Sequence, residues 1–447
     1  MSGIANRLGY FKSELSPRSY AQNFAASHNA GVTVAWLLPH NRLGWSRPIE
    51  TRGVAMMLKC GCPEGHVIKG FVEFVFPDGT SFGKEIEDGE VEVPVRGKMF
   101  PRLAVVKPMD GHWNTIVLRP SSTGSCRCEP ITYADARPWW KSIVGVSREN
   151  GSGKGIRIGV IDLGYQPRSS LEHVTLMNPE GEALDFDYVP PMSHGMHVCQ
   201  VLCGKGHGET DSGIAPEADV LFVDVSDEAE EERIDSELIP AAIHLLADMQ
   251  VDLINISGGS YVAEGREDES DRVMQSAVNY ARDQGCLVIA AAGNDAKKRP
   301  AIPARLAHVI GVGGMGKAEV APPGSLMHGV QSKARKSPGA WGKLLDFPVF
   351  HYLHSSYGAD LDVVAPAVGI TICYDGKHTF DREGTSFSSP IVVGVLACAL
   401  SADPAYKRLA GTRRADFAAK KLASMCMNLG LDEKRQGKGL PVLCSAC

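Results

Sequence analysis

Three segments of the chain carry the side chains of an acid, a base and a nucleophile. The run IRIGVIDLG ends an apolar stretch on Asp162, SHGMHVCQVLCG sets His194 ahead of an apolar helical run, and GTSFSSPIVVGVLACAL sets Ser386 ahead of another. A serine hydroxyl is a weak nucleophile alone. It needs an imidazole to take its proton, and the imidazole needs a carboxylate to fix its tautomer and stabilise the imidazolium. A helix N-terminus at the serine adds a favourable field for developing negative charge. A fourth segment, CLVIAAAGND, reaches Gly293-Asn294, where an amide could donate to a tetrahedral oxyanion.

Each residue also has a plainer role. An aspartate after a strand commonly caps a helix or forms a turn, and Thr385 and Ser386, ahead of a helix, would serve as an N-cap. His194 and His197, three apart, could ligate a metal, but no nearby carboxylate or third histidine completes a set. Packing is the simpler role for His197. The four segments together, in one order, favour catalysis.

The surrounding elements must hold these side chains in one place. From Gly155 onward, IRIGVID, VLFVDV, LINIS, CLVIAAAG and HVIGVGG are nearly continuous apolar runs, as expected of strands buried on both faces of a parallel sheet. Between them, IDSELIPAAIHLLADM and SDRVMQSAVNYARDQG repeat apolar residues at three- and four-residue spacing, as helices do. The fold class expected is α/β, a doubly wound, mostly parallel sheet, with the candidate residues at strand carboxyl ends and helix starts. The preceding region reads differently. VTVAWLLP, GVAMMLKCGC, IKGFVEFVF, EVEVPV, LAVVKP and TIVLRP are short β-rich runs separated by turn signals such as PDG, EDGE and MDG. RPSSTGSCRCEP reads as a linker. The division expected is a smaller β-rich accessory or regulatory domain over 1–135 and a catalytic domain over 136–447.

In order and context these motifs resemble the subtilisin family of serine proteases. That family's pattern is an apolar strand ending in Asp-x-Gly, then His-Gly-x-His, then Gly-Thr-Ser-x-x-Ser-Pro. It stands here as Asp162-Leu163-Gly164, His194-Gly195-Met196-His197 and Gly384-Thr385-Ser386-Phe387-Ser388-Ser389-Pro390. GIAPEADVLFVDV, LINISGGS, IPARLAHVIGVGG and SSYGADLDVVAPAVGI extend the match to about 138–443. The resemblance implies a catalytic triad of Asp162, His194 and Ser386, with an oxyanion hole from Asn294 and the Ser386 N–H. It also implies that Ser257, Gly258 and Gly259 pair with substrate backbone and wall the first specificity pocket. The chain departs from the family in a short CGKGHGETDSGIAP stretch where a calcium loop commonly lies, in a short loop after Asn294, and in an insertion between Gly316 and His354. No calcium or other cofactor is expected.

Composition narrows the partners. The chain has 447 residues and a formal net charge of -6, which gives no reason to expect nucleic-acid or acidic-membrane binding. The N-terminal stretch lacks the apolar core of a secretory signal, and no window has the roughly 18 apolar residues of a membrane span, so a cytoplasmic location is expected. The twelve cysteines are then expected as reduced thiols, those in CLVIAAAG and VVGVLACAL as small core residues. Cys60, Cys62, Cys126 and Cys128 could form a four-thiolate zinc site, although thiols without metal are the simpler reading. The activity expected is hydrolysis of a protein or peptide through an acyl-enzyme. Residues 1–135 would govern access or recruit a regulatory partner. The alternative is a catalytically silent peptide-binding or scaffold protein on the same fold.

Overall fold

The computed structural model describes 57–59, 70–75, 81–86, 90–92, 103–108 and 116–117 in the N-terminal part. It describes 138–443 except 147–151, 166–169, 185–193, 207–211, 227–233, 262–268, 319–330, 332–333, 335–336, 345–346 and 374–378. The chain divides into two compact units. One comprises 1–133 with 321–332 and 378–381, and the other comprises 134–320, 333–377 and 382–447.

In the first unit, β1 (Met57–Lys59) pairs antiparallel with β4 (Glu90–Glu92). A separate antiparallel sheet has the order β3 (Ser81–Ile86), β2 (Gly70–Val75), β5 (Leu103–Pro108), β6 (Ile116–Val117). Phe74 on β2 is fully buried. The expected run VTVAWLLP and the four cysteines of the candidate zinc site lie outside the described residues.

The second unit is built on one large sheet. Seven of its strands run parallel: β7 (Arg157–Asp162), β8 (Thr175–Met177), β9 (Asp219–Asp224), β10 (Leu253–Ile256), β11 (Leu287–Ala291), β12 (Val309–Lys317) and β15 (Val363–Pro366). Side chains alternate between two cores. Ile158 and Val160 of β7 enter one, and Ile161 enters the other. Two helices cover one face: α3 (Ile239–Asp248) buries Ile239, Ile243 and Leu246, and α4 (Glu269–Asp283) buries Met274, Ala277 and Ala281. These stripes follow the helical period. The α4 ends also match its dipole, with Glu269 and Asp271 in the first turn and Arg282 in the last. Against the other core lie α2 (His194–Cys203) and α5 (Thr385–Ser401), and α5 is buried nearly all round. The expected doubly wound, mostly parallel α/β fold is therefore present.

One extension was not anticipated. Within the insertion between Gly316 and His354, β13 (Trp341–Leu344) and β14 (Phe347–His351) form an antiparallel hairpin that pairs with β12 and lengthens the sheet. Near the start of this unit, α1 (Trp139–Ile143) is fastened to it. The indoles of Trp139 and Trp140 donate to the carbonyls of Gly369 and Thr371 at 2.9 and 3.1 Å.

Candidate active site

β7 lies between β9 and β10: the chain fills β8 and β9 on one side of it and then crosses to β10 on the other. Such a reversal opens a crevice at the carboxyl ends of the strands. Asp162, the last residue of β7, stands at that crevice and is fully buried. Its Oδ1 accepts from the Leu163 N–H at 2.7 Å, which fixes the carboxylate, and meets His194 Nδ1 at 2.6 Å. His194 is the first residue of α2, and the next N–H, from Gly195, donates to the Leu163 carbonyl at 2.9 Å. Helix start and strand end are thus joined beside the His–Asp pair. Residue 195 must be glycine, because a Cβ there would strike the Phe222 ring and come 2.9 Å from the Gly164 carbonyl oxygen.

Burial acts most strongly on His194 and lowers its pKa. Attraction to Asp162 and their hydrogen bond raise it, the Arg382 guanidinium opposes them, and the net value lies above the usual 6.5. The imidazole is 32% exposed while Asp162 is sealed, so the face turned away from the carboxylate is the one a substrate can reach.

α5 brings in Ser386. The His194 ring packs on that of Phe387, with centroids 5.6 Å apart, which sets the imidazole alongside the first turn of α5. Gly384 caps this helix at φ 128°, a conformation open to glycine and costly for other residues. Ser386 lies in the first turn, so its N–H has no intrahelical acceptor. Its neighbours are engaged: Thr385 N–H donates to Asn294 Oδ1 at 2.9 Å and Phe387 N–H to the Gly384 carbonyl at 3.1 Å.

The Thr385 contact settles how Asn294 is turned. A backbone N–H can only donate, so the atom it meets must be the amide oxygen. The Thr385 hydroxyl also lies 3.1 Å from that oxygen. Nδ2 is left with its donors pointing elsewhere. Both Nδ2 and Ser386 Oγ lie 3.3 Å from the point where a Cβ on Gly384 would stand, so the amide donor and the hydroxyl flank one small space. An oxygen held there could accept from Nδ2 and from the Ser386 N–H while its carbon met Ser386 Oγ.

Ser257, Gly258 and Gly259 follow β10. The Ser257 side chain is buried: its Oγ donates to the Ser386 carbonyl at 2.9 Å and accepts from Asn255 Nδ2 at 2.9 Å, while Asn255 Oδ1 accepts from Ser389 Oγ at 2.7 Å. Pro390 explains the need for this bond. It stands four residues after Ser386 and lacks the N–H that would otherwise close the helix on that carbonyl. The sequence contained this signal, but spacing alone did not reveal that Ser257 would answer it. Ile234 covers one face of Gly258, and Gly259 abuts the Ile302 carbonyl. His197 is buried within α2, as packing would require. The proximity of Arg382 to His194 left no signature in the sequence. Among the described residues no group of three or more His, Cys, Asp or Glu side chains could hold a metal ion.

The chain is similar to known proteins. Residues 153–423 match the subtilase family model. Alkaline elastase YaB of Bacillus sp. (strain YaB) is 25% identical over 78% of this chain and 82% of its own length. M-protease of Shouchella clausii (strain KSM-K16) is 26% identical over the same shares. The epidermin leader peptide processing serine protease of Staphylococcus aureus shares the fold at a TM-score of 0.51 and 18% identity, over 69% of this chain and 80% of that one. A match across more than half the chain, on a doubly wound sheet with these residues at its carboxyl edge, means that the protein belongs to the subtilase family of serine peptidases.

Proposed function

We propose that the chain is an endopeptidase working through an acyl-enzyme, with Ser386 as nucleophile, His194 as general base and then general acid, and Asp162 as the carboxylate that orients His194. Attack by Ser386 Oγ on a peptide carbonyl passes its proton to His194, and the tetrahedral oxygen receives Asn294 Nδ2–H and the Ser386 N–H. His194 then gives the proton to the leaving amine. Water, activated by the same imidazole, releases the acyl group. The observation that carries this reading is the 2.6 Å bond between the sealed Asp162 and His194, whose ring rests on the residue after Ser386. Ser257, Gly258 and Gly259 are assigned to the substrate-binding wall through their backbone, since the Ser257 hydroxyl is already engaged.

The substrate is read as a polypeptide, with neither nucleic acid nor membrane as partner. Residues 1–135 are read as an accessory domain that governs access or recruits a regulatory protein. A cytoplasmic location agrees with the free thiols of Cys199, Cys203, Cys286, Cys398 and Cys426. Burial raises the thiols of Cys286 and Cys398 to about 12, which suits inert core positions.

Casein hydrolysis by wild type and by Ser386→Ala tests the reading. Turnover should fall by about 10⁶ with the circular dichroism spectrum unchanged, the loss found in subtilisin itself when its serine is removed. Near-normal hydrolysis by Ser386→Ala would overturn it. A wild type that binds peptides and never cleaves them would favour the silent scaffold instead.

A further inference from the structure

A carbonyl carbon bonded to Ser386 Oγ, with its oxygen at Asn294, directs the side chain of its own residue into the space adjoining these two groups. Two backbone segments bound that space. Ser257–Gly259 is held to α5 by the bond from Ser257 Oγ to the Ser386 carbonyl. Ala292–Asn294 is held by the bond from Thr385 N–H to Asn294. Gly259 and Gly293 face a common floor: a Cβ on either would lie 3.4 Å from the Ala301 methyl. Ala301 is fixed by donating its N–H to the Ala292 carbonyl at 2.9 Å. Ser260 and Ile302 exchange backbone hydrogen bonds of 2.9 and 2.8 Å, which tie wall to floor.

Tyr261 closes this slot. It continues the Ser257–Gly259 wall, and its hydroxyl occupies the place where a Cβ on Gly293, in the opposite wall, would stand. The hydroxyl is anchored there by a 2.7 Å bond to Ser356 Oγ. Ser356 is itself fixed, donating its N–H to the Gly293 carbonyl at 2.8 Å and accepting from the Lys297 N–H at 3.3 Å. The phenol therefore spans the gap where an acyl-side side chain would enter. Tyr261 as a residue is 38% exposed, so shortening it opens no cavity in the core.

We propose that Tyr261 is a specificity-determining residue that limits the residue on the acyl side of the cleaved bond to glycine, alanine or serine. The proposal rests on Ser386 and Asn294 acting as described above. Peptides identical except for Gly, Ala, Ser, Leu or Phe at that position test it. Excluding a single methylene from a pocket is worth roughly 10–200-fold, so wild-type kcat/KM for Ala should exceed that for Leu and Phe by at least about 10². Tyr261→Gly should raise the Leu and Phe values relative to the Ala value by a similar factor. Tyr261→Phe, which keeps the ring, should preserve the preference for small residues. Equal wild-type cleavage after Ala, Leu and Phe overturns the proposal without any variant having to fold. So does an unchanged ratio in a Tyr261→Gly protein whose melting temperature matches wild type. Cleavage that persists in Ser386→Ala would instead remove the nucleophile assignment on which the slot depends.

Discussion

Ser257→Ala distinguishes a side chain that supports the nucleophile from one that touches substrate. The Ser386 carbonyl has lost its helical partner to Pro390 and depends on the Ser257 hydroxyl at 2.9 Å. Removing the hydroxyl leaves that buried carbonyl unpaired, and Asn255 Nδ2 loses an acceptor as well. An orphaned buried polar group costs about 1–3 kcal/mol. For a domain of this size each kcal/mol lowers the melting temperature by about 2–4 °C, so a fall of about 2–12 °C is expected. Melts are best run on Ser386→Ala protein, because that change spares the carbonyl and removes self-cleavage. On the active protein the same substitution should lower kcat more than it raises KM, since it loosens the first turn of α5. Pro390→Ala supplies an N–H within reach of the Ser386 carbonyl. In that background the Ser257→Ala penalty should shrink, with a coupling of about 0.5–3 kcal/mol between the two sites. An unchanged melting temperature with a raised KM alone would show that the Ser257 hydroxyl does not support α5 and would return its side chain to the substrate wall.

Asn294→Ala should lower kcat by about 10²–10³ with little change in KM, the loss found for the corresponding amide in subtilisin; a defect mainly in KM would place the amide in a substrate pocket. Arg382→Met should move the acid limb of the kcat/KM profile to higher pH. His194 must be neutral to accept a proton, and the guanidinium now holds down a pKa that Asp162 raises. A limb that moves toward lower pH would contradict that sign. Intact-mass analysis of purified protein should find residues 1–135 still attached, and a main species beginning near residue 140 would make them a removable propeptide.

Five of the seven parallel strands, β7, β9, β10, β11 and β12, were legible because each is largely buried and reads as a nearly continuous apolar run; LINIS and CLVIAAAG contain β10 and β11. β8, three residues long with Thr175 exposed, and β15, inside SSYGADLDVVAPAVGI, were not read as strands. Of the N-terminal runs, LAVVKP coincides with β5. Strand β3 was missed because SFGKEI carries a glycine and charged residues where an apolar pattern would normally be sought. The β13–β14 hairpin escaped for a related reason. It adds to the sheet through edge pairing with β12, is buried only in part, and contains Pro348, which weakens any strand reading. The candidate site residues could be picked out one by one, since each motif is local. Their supports were not. The Ser257 bond spans 129 positions and the Tyr261–Ser356 bond 95, and both depend on which loops the sheet order brings together.

In the proposed mechanism Ser386 is the nucleophile activated by His194 and Asp162. A fluorophosphonate reacts with an activated serine and leaves a stable adduct, so peptide mapping of treated protein locates it. One adduct is expected on Ser386, absent from Ser386→Ala and formed far more slowly in His194→Ala. An adduct on another residue, or a Ser386 adduct formed equally fast without His194, would contradict it.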